Sequence, residues 1–377
     1  MPGLEEAVEQ LAREWPGVTL PQEMLAAYRQ LETPALPGCL FFSMAEILDG
    51  STRWRGILPD FLPFAEDEDE MVYGLYAVPG QTEPMHVLRW RPESDDYLPV
   101  ASSFLAFCRW RSLIDAFESV DAEVDSEVDV DWVEEEEDED EDGEVEELEI
   151  TPGQIEATLE AVGLSPVADP PLTLEALLGT LLREDPAGVW HLLMTGAIHA
   201  DRGAWPEAKQ VFSAAVDAAP WFADSHFLAS IAEEELGNWD ASVESLWRGL
   251  ECTVFLSGNI EDYPLDPSGE ESQIHEIARN AILEGVTDGP EEGSRALLHA
   301  ALASDDWLHA KRRQDLADQL MQAGYEQAAE RELLNALALS IDDAEEDVSY
   351  DRLVAYYREV GRPEASQRCL ADKNRSD

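Results

Sequence analysis

The sequence predicts an α+β N-terminal domain, an antiparallel sheet with flanking helices, joined to an all-α helical-repeat C-terminal domain. Three observations predict it. Over residues 1–117 the apolar pattern changes from helical spacing to short β-branched and aromatic runs bounded by Gly and Pro. Residues 118–149 carry 20 acidic and no basic side chains. From residue 150 onward strand signals nearly vanish, and landmark residues recur at an interval of 34.

In the first domain, Ala7, Val8, Leu11 and Trp15 share one helical face. "LPQEMLAAYRQLE" predicts a second helix, with Pro21 in its first turn. "GCLFFSMAEI", "MVYGLYAVPG" and "EPMHVLRWRP" read as strands. "SSFLAFCRWRSLIDAFES" closes the domain as a helix capped by Ser102 or Ser103.

Leu20–Pro21 and Tyr28 in the second helix, Pro63–Phe64 before an acidic turn, the strand around Tyr73, and Ser103–Phe104 opening the last helix together resemble the SMI1/KNR4-like (SUKH) domain. The resemblance covers nearly all of residues 1–117. The turn departs from the family, which often has glycines where this chain has Glu66, Asp67, Glu68, Asp69 and Glu70. Bacterial members of that family are mostly immunity proteins that neutralise delivered toxins, many of them nucleases. The resemblance therefore implies an inhibitor of a basic toxin, with the acidic turn as a candidate contact. Eukaryotic members look like regulators, which implies a regulatory scaffold as the alternative.

Residues 118–149 predict an extended linker, because like charges repel and there is little to bury. Within them, Asp138, Asp140, Asp142, Gly143 and Glu149 match the D-x-D-x-D-G-x5-E pattern of a calcium loop. The flanks argue against an EF-hand. Glutamates stand where the entering helix needs apolar residues, and Pro152–Gly153 interrupts the exit.

"TPGQIEATLEAVG" predicts a helix with Thr151 as N-cap, Pro152 at its first position and Gly163 at its stop. Gly203, Trp205, Phe212 and Ala215 recur as Gly237, Trp239, Leu246 and Gly249, the period of the tetratricopeptide unit. The clearest repeats are 189–222 and 223–256, and "AGYEQAAERELLNALAL" and "REVGRPEASQRCL" repeat the theme loosely. A concave surface with an apolar floor and an acidic rim is expected from Trp190, Leu193, Asp201, Asp224, Phe227, Ile231, Glu234 and Glu235. Such a rim lacks the Lys and Arg that clamp a peptide carboxylate and suits a basic or amphipathic protein segment.

The 377 residues carry 82 acidic against 24 basic side chains, a formal net charge of −58. That field repels nucleic acid and anionic lipid and attracts basic proteins. Solubility or adaptation to high salt accounts for the same composition. Arginines flank Trp54, Trp90 and Trp110. That spacing is also what a strand or helix with a buried face and a wet face produces, and the negative field opposes phosphate. The four cysteines are widely spaced, which fits reduced thiols, and the N-terminus reads as cytoplasmic rather than secretory. No His-based metal pattern, nucleophile spacing or phosphate-binding glycine loop occurs. The expectation is a non-catalytic protein-binding protein without cofactor, metal, nucleic acid or membrane span.

Overall fold

The computed structural model describes residues 4–14, 19–49, 52, 57–78, 85–92, 96–125, 150–253, 274–285 and 293–374. Two helices open the chain, α1 (Leu4–Glu14) and α2 (Gln22–Gln30). Helix α1 buries Ala7 and Leu11, one turn apart on a single face. Helix α2 starts just after Pro21, and its Tyr28 hydroxyl donates to the Phe42 carbonyl at 2.6 Å.

Strands β1 (Ala35–Leu36), β2 (Cys39–Phe41), β3 (Phe61–Asp67), β4 (Val72–Tyr76), β5 (His86–Arg91) and β6 (Asp96–Ala101) form a six-stranded antiparallel meander in chain order. The three expected runs supply β2, β4 and β5, while β1, β3 and β6 are additional. The run "GCLFFSMAEI" is not one strand. It leaves the sheet after Phe41 and becomes helix α3 (Met44–Asp49). The reason is a capping box: the Ser43 hydroxyl accepts from the Glu46 amide at 3.3 Å, and the Glu46 carboxylate accepts from the Ser43 amide at 2.6 Å.

Every residue of β4 and nearly every residue of β3 is buried, because both faces of the sheet are covered. Helix α4 (Phe104–Asp125) covers one face. Phe64 sits edge-on to Phe41, Phe104 and Phe107 there, at centroid separations of 5.4, 5.6 and 5.4 Å. On the other face Phe61 packs on Tyr97 at 5.1 Å, and the Tyr97 hydroxyl accepts from the Leu58 amide at 2.8 Å. Ser103 is the cap of α4, accepting from the Ala106 amide at 3.2 Å. The helix continues eight residues past the expected boundary at 117.

Helix α5 (Pro152–Ala161) begins at the predicted N-cap Thr151, which Gln154 completes as a capping box, and α6 (Leu174–Glu184) is capped by Thr173. Both pack on the α+β unit. The Ala35 amide donates to the Thr158 hydroxyl at 3.0 Å, and Arg109 of α4 forms a two-pronged pair with Glu184 at 2.6 and 3.2 Å. The described elements before and after the acidic segment therefore belong to one packed body.

The remaining helices are α7 (Val189–Asp201), α8 (Trp205–Ala218), α9 (Ala223–Glu235), α10 (Trp239–Leu250), α11 (Ile274–Gly285), α12 (Ser294–Leu302), α13 (Ala310–Gln322), α14 (Glu326–Ala338), α15 (Asp343–Glu359) and α16 (Pro363–Lys373). Helices α7, α9, α13 and α15 all stop the same way. Gly203, Gly237, Gly324 and Gly361 adopt φ of +70, +76, +83 and +76°. The next amide in each case reaches back to a carbonyl at 2.7–2.9 Å, closing a Schellman turn. The two loosely repeated segments are thus hairpins of the same construction.

Candidate functional site

One end of the sheet is built into the helical repeats. Phe61 pairs with Tyr76, Tyr76 with His86, and Val87 with Ala101, so Asp60, Tyr76, His86 and Ser102 line up across that end. All four touch the helical region. The Asp60 carboxylate accepts from Arg368 of α16 at 3.0 Å and lies 3.7 Å from Arg362. Arg362 also pairs with Glu330 of α14 at 2.5 Å and lies over the Tyr357 ring at 4.8 Å. The Trp221 ring, between α8 and α9, stands 5.1 Å from both Tyr76 and His86. The Ser102 amide and hydroxyl both donate to Asp185, at 2.9 and 2.5 Å. Beside this row, Trp190 of α7 meets Trp110 of α4 edge-on at 6.0 Å.

Burial sets the ionisation here. It drives the Tyr76 hydroxyl pKa far above its ordinary value, with Asp60 and Glu330 adding to the rise. It lowers the His86 imidazole, against the pull of Asp185. Asp185 goes the other way. Burial pushes its carboxyl up, but His191 and the two Ser102 donors outweigh burial and hold it below the usual range. His191 Nε2 lies 3.5 Å from the Asp185 carboxylate.

Ser102, Asp185 and His191 bring together the residue types of a hydrolytic triad in the wrong order. The serine hydroxyl donates to the aspartate rather than to an imidazole. Among the described residues no group of three or more His, Cys, Asp or Glu could hold a metal ion. No helix there is long and apolar enough to cross a membrane. The four cysteines are free and buried, and burial pushes the Cys252 thiol up to about 12.

The expected concave floor is not open. Leu193, Asp224 and Phe227 are buried, and Trp190 is half-buried against the α+β unit. The reason is packing between helices. A Cβ added at Gly249 of α10 would come within 2.0 Å of the Phe227 ring, and one at Gly196 of α7 within 2.4 Å of Phe212. The bulky partner thus sits on α8 in the first repeat and on α9 in the second. Ile231 is half-buried, and Asp201, Glu234 and Glu235 are exposed at the ends of their helices.

The opposite end of the sheet carries the acidic turn. Asp67 is not on its surface. It is 6% exposed and organises the β3–β4 hairpin, accepting from the Asp69 and Met71 amides at 3.2 and 2.9 Å and from the Tyr73 hydroxyl at 2.6 Å. Glu66 is half-buried, while Glu68, Asp69 and Glu70 are exposed. Burial raises the carboxyl pKa of Glu66, and Glu70 and Asp67 raise it further. Burial likewise raises Asp115 and Glu118 on α4, with Arg111 pulling both down. Asp115 of α4, followed by Asp69 and Asp67 of the turn, pushes Glu118 up as well. The calcium-loop residues Asp138, Asp140, Asp142 and Glu149 lie outside the described residues.

Sequence reasoning did not single out Asp60, Tyr76, Trp221 or Arg368 for this site. A local signal at this end of the sheet is Asp185, the partner of Ser102, an acid at a helix C-terminus where the dipole favours a cation.

No protein-family profile matches the chain. No curated protein matches it. Among solved structures it resembles the crystal structure of MamA at 13% identity and a TM-score of 0.19, covering 52% of this chain and 85% of that one. It also resembles the APC/C hetero-tetramer Cut9–Hcn1 at 14% identity and a TM-score of 0.24, covering 71% of this chain and 45% of that one. At such scores the likenesses carry no argument, and the repeat architecture rests on the chain's own hairpins.

Proposed function

We propose that this protein is a non-catalytic scaffold that recruits client proteins through its helical repeats and its acidic surface. The observation that carries this reading is the sheet end seated in the repeats. Helical hairpins that hold one folded unit by aromatic and ionic contacts are built to hold protein. Glu68, Asp69 and Glu70, with Asp201, Glu234 and Glu235 on the repeats, remain exposed for a basic or amphipathic client. Glu66 and the half-buried Ile231 border these exposed groups.

Surface plasmon resonance of the full chain with a basic client captured from its source cells tests the reading. Association is expected to slow as salt rises and to weaken in the triple variant Glu68→Lys, Asp69→Lys, Glu234→Lys. Salt-independent binding that ignores the variant would remove the acidic surface from the mechanism.

A narrower form is supported by the SMI1/KNR4 resemblance together with the net charge of −58: neutralisation of a basic toxin, nucleases included, by the same acidic turn. Protection of cells from the toxin encoded beside the gene separates the two readings. An immunity protein keeps protecting when the chain stops after α6, whereas a scaffold loses function.

A further inference from the structure

We infer that the surface formed by Trp221, Arg362 and Arg368 is a docking site for an extended client segment that presents a carboxylate and an aromatic ring on one face, and that the sheet end plugs this site in cis. The inference rests on the scaffold reading and adds the partner's chemistry and its gate.

The cis occupant defines what the surface accepts. Asp60 supplies the carboxylate, seated on Arg368 at 3.0 Å with Arg362 at 3.7 Å. Tyr76 supplies the ring, 5.1 Å from Trp221. The Ala77 amide donates to the Asp60 carbonyl at 3.1 Å and Phe61 pairs with Tyr76, so Asp60 and Tyr76 stand diagonally across the end of adjacent strands. Side chains two residues apart on one extended strand share a face, roughly 7 Å apart. A single strand with Asp and Tyr at i and i+2 therefore presents both groups on one face.

The receiving side is prepared without the occupant. Arg362 is held by Glu330 and stacked on Tyr357, both contacts within the repeats. Its orientation does not depend on Asp60.

The seam is also incompletely satisfied, as a parting surface is. Among the described residues, Trp221 Nε1 and His86 Nδ1 are buried there without a hydrogen-bond partner. Buried polar atoms left unpaired favour the open state, in which they meet water. Among the described residues, two of the contacts that close the seam, those of Arg368 and Arg362, converge on the single carboxylate of Asp60.

The test uses the full chain and a fluorescein-labelled synthetic peptide with Asp and Tyr two residues apart in a Gly/Ser background. Controls carry Asn for the Asp or Ala for the Tyr. Anisotropy is read at about 0.3 M salt, where the overall negative field is screened, and small-angle scattering reports opening. The Asp60→Lys variant is expected to expand and to bind the peptide at least tenfold more tightly than the wild type, with both controls weakened. Trp221→Ala is expected to expand without gaining affinity, because its ring contact is gone. The swap Asp60→Arg with Arg368→Asp is expected to restore the compact form. Asp60→Asn serves if the reversed charge impairs folding, with the same outcomes at smaller size. An Asp60→Lys chain that stays compact overturns the gate. An expanded chain that ignores the peptide overturns the docking site. Either failure leaves the scaffold reading standing if salt-sensitive client binding by the acidic surface persists.

Discussion

Asp60, at the entry to β3, and Arg368, in the last helix, form a 3.0 Å ion pair across 308 residues of chain. Both side chains are largely shielded, at 15% and 12% exposure. The pair joins the end of the sheet to the end of the repeats, so it closes the molecule on itself.

The coupling between these two residues is measurable directly. Removing either partner leaves the other half-desolvated, and a loss of about 1–3 kcal/mol is expected from Asp60→Ala or Arg368→Ala alone. A double-mutant cycle from urea denaturation should return a coupling of at least about 0.5 kcal/mol. Strictly additive losses would mean that the pair holds nothing together.

Gly249 exists for the sake of Phe227. Gly249→Ala places a Cβ 2.0 Å from the ring and is expected to cost about 1–3 kcal/mol by overpacking. The first repeat answers the same problem with Leu193 and Ala215 at the equivalent positions. Phe227→Leu combined with Gly249→Ala should therefore recover much of the loss in thermal melts. No recovery would deny that the two repeats solve one packing problem in two ways.

Glu70 adopts φ of +58°, the left-handed region, in the β3–β4 turn. Its amide still donates to the Asp67 carbonyl at 3.1 Å, so the turn is hydrogen-bonded but backbone-strained. Glu70→Gly is expected to stabilise the fold by about 1 kcal/mol, since an L-residue there costs roughly 1–2 kcal/mol. It also relieves the repulsion that raises Glu66. A drop in melting temperature would locate a favourable contact of the Glu70 side chain instead.

Acid should destabilise the fold through its buried imidazoles. Burial lowers His86 and His226 below their ordinary value of 6.5, against Asp185 and the Pro220 carbonyl respectively. The unfolded chain then takes up protons first. Their contribution to stability is complete above that value and is lost as pH falls through the lower folded values. Glu66, Asp115 and Glu118 act in the opposite sense, because burial raises them and protonation relieves it. The difference between wild type and the double variant His86→Gln, His226→Gln isolates the imidazoles. Between about pH 7 and pH 5 the variant's melting temperature should fall less steeply. Parallel curves would assign the acid sensitivity elsewhere.

Much of the architecture was legible because its signals are local. The Thr151 N-cap and the Schellman glycines at 203, 237, 324 and 361 each involve residues within one turn, and the 34-residue spacing is one hairpin repeated. The helix inside "GCLFFSMAEI" was legible too, in the S-x-x-E of Ser43 and Glu46, but the aromatic run before it masked that signal. The candidate site was scarcely legible. Asp67 reads as one acid among five, and only the hairpin geometry turns it inward to three donors. Leu193, Asp224 and Phe227 occupy plausible concave positions by register, yet all three are buried.

The sequence by itself determined the two kinds of structure, the position and charge of the acidic segment, and where the helical hairpins turn. These follow from side-chain periodicity, capping chemistry and the freedom of glycine to adopt positive φ, all of which act within a few residues. Only the tertiary structure decided that α5 and α6 pack with the sheet, that the repeats enclose its end, and that Asp60 meets Arg368. Contacts between residues hundreds of positions apart depend on how whole faces fit together. No local pattern of residues encodes which face will find which.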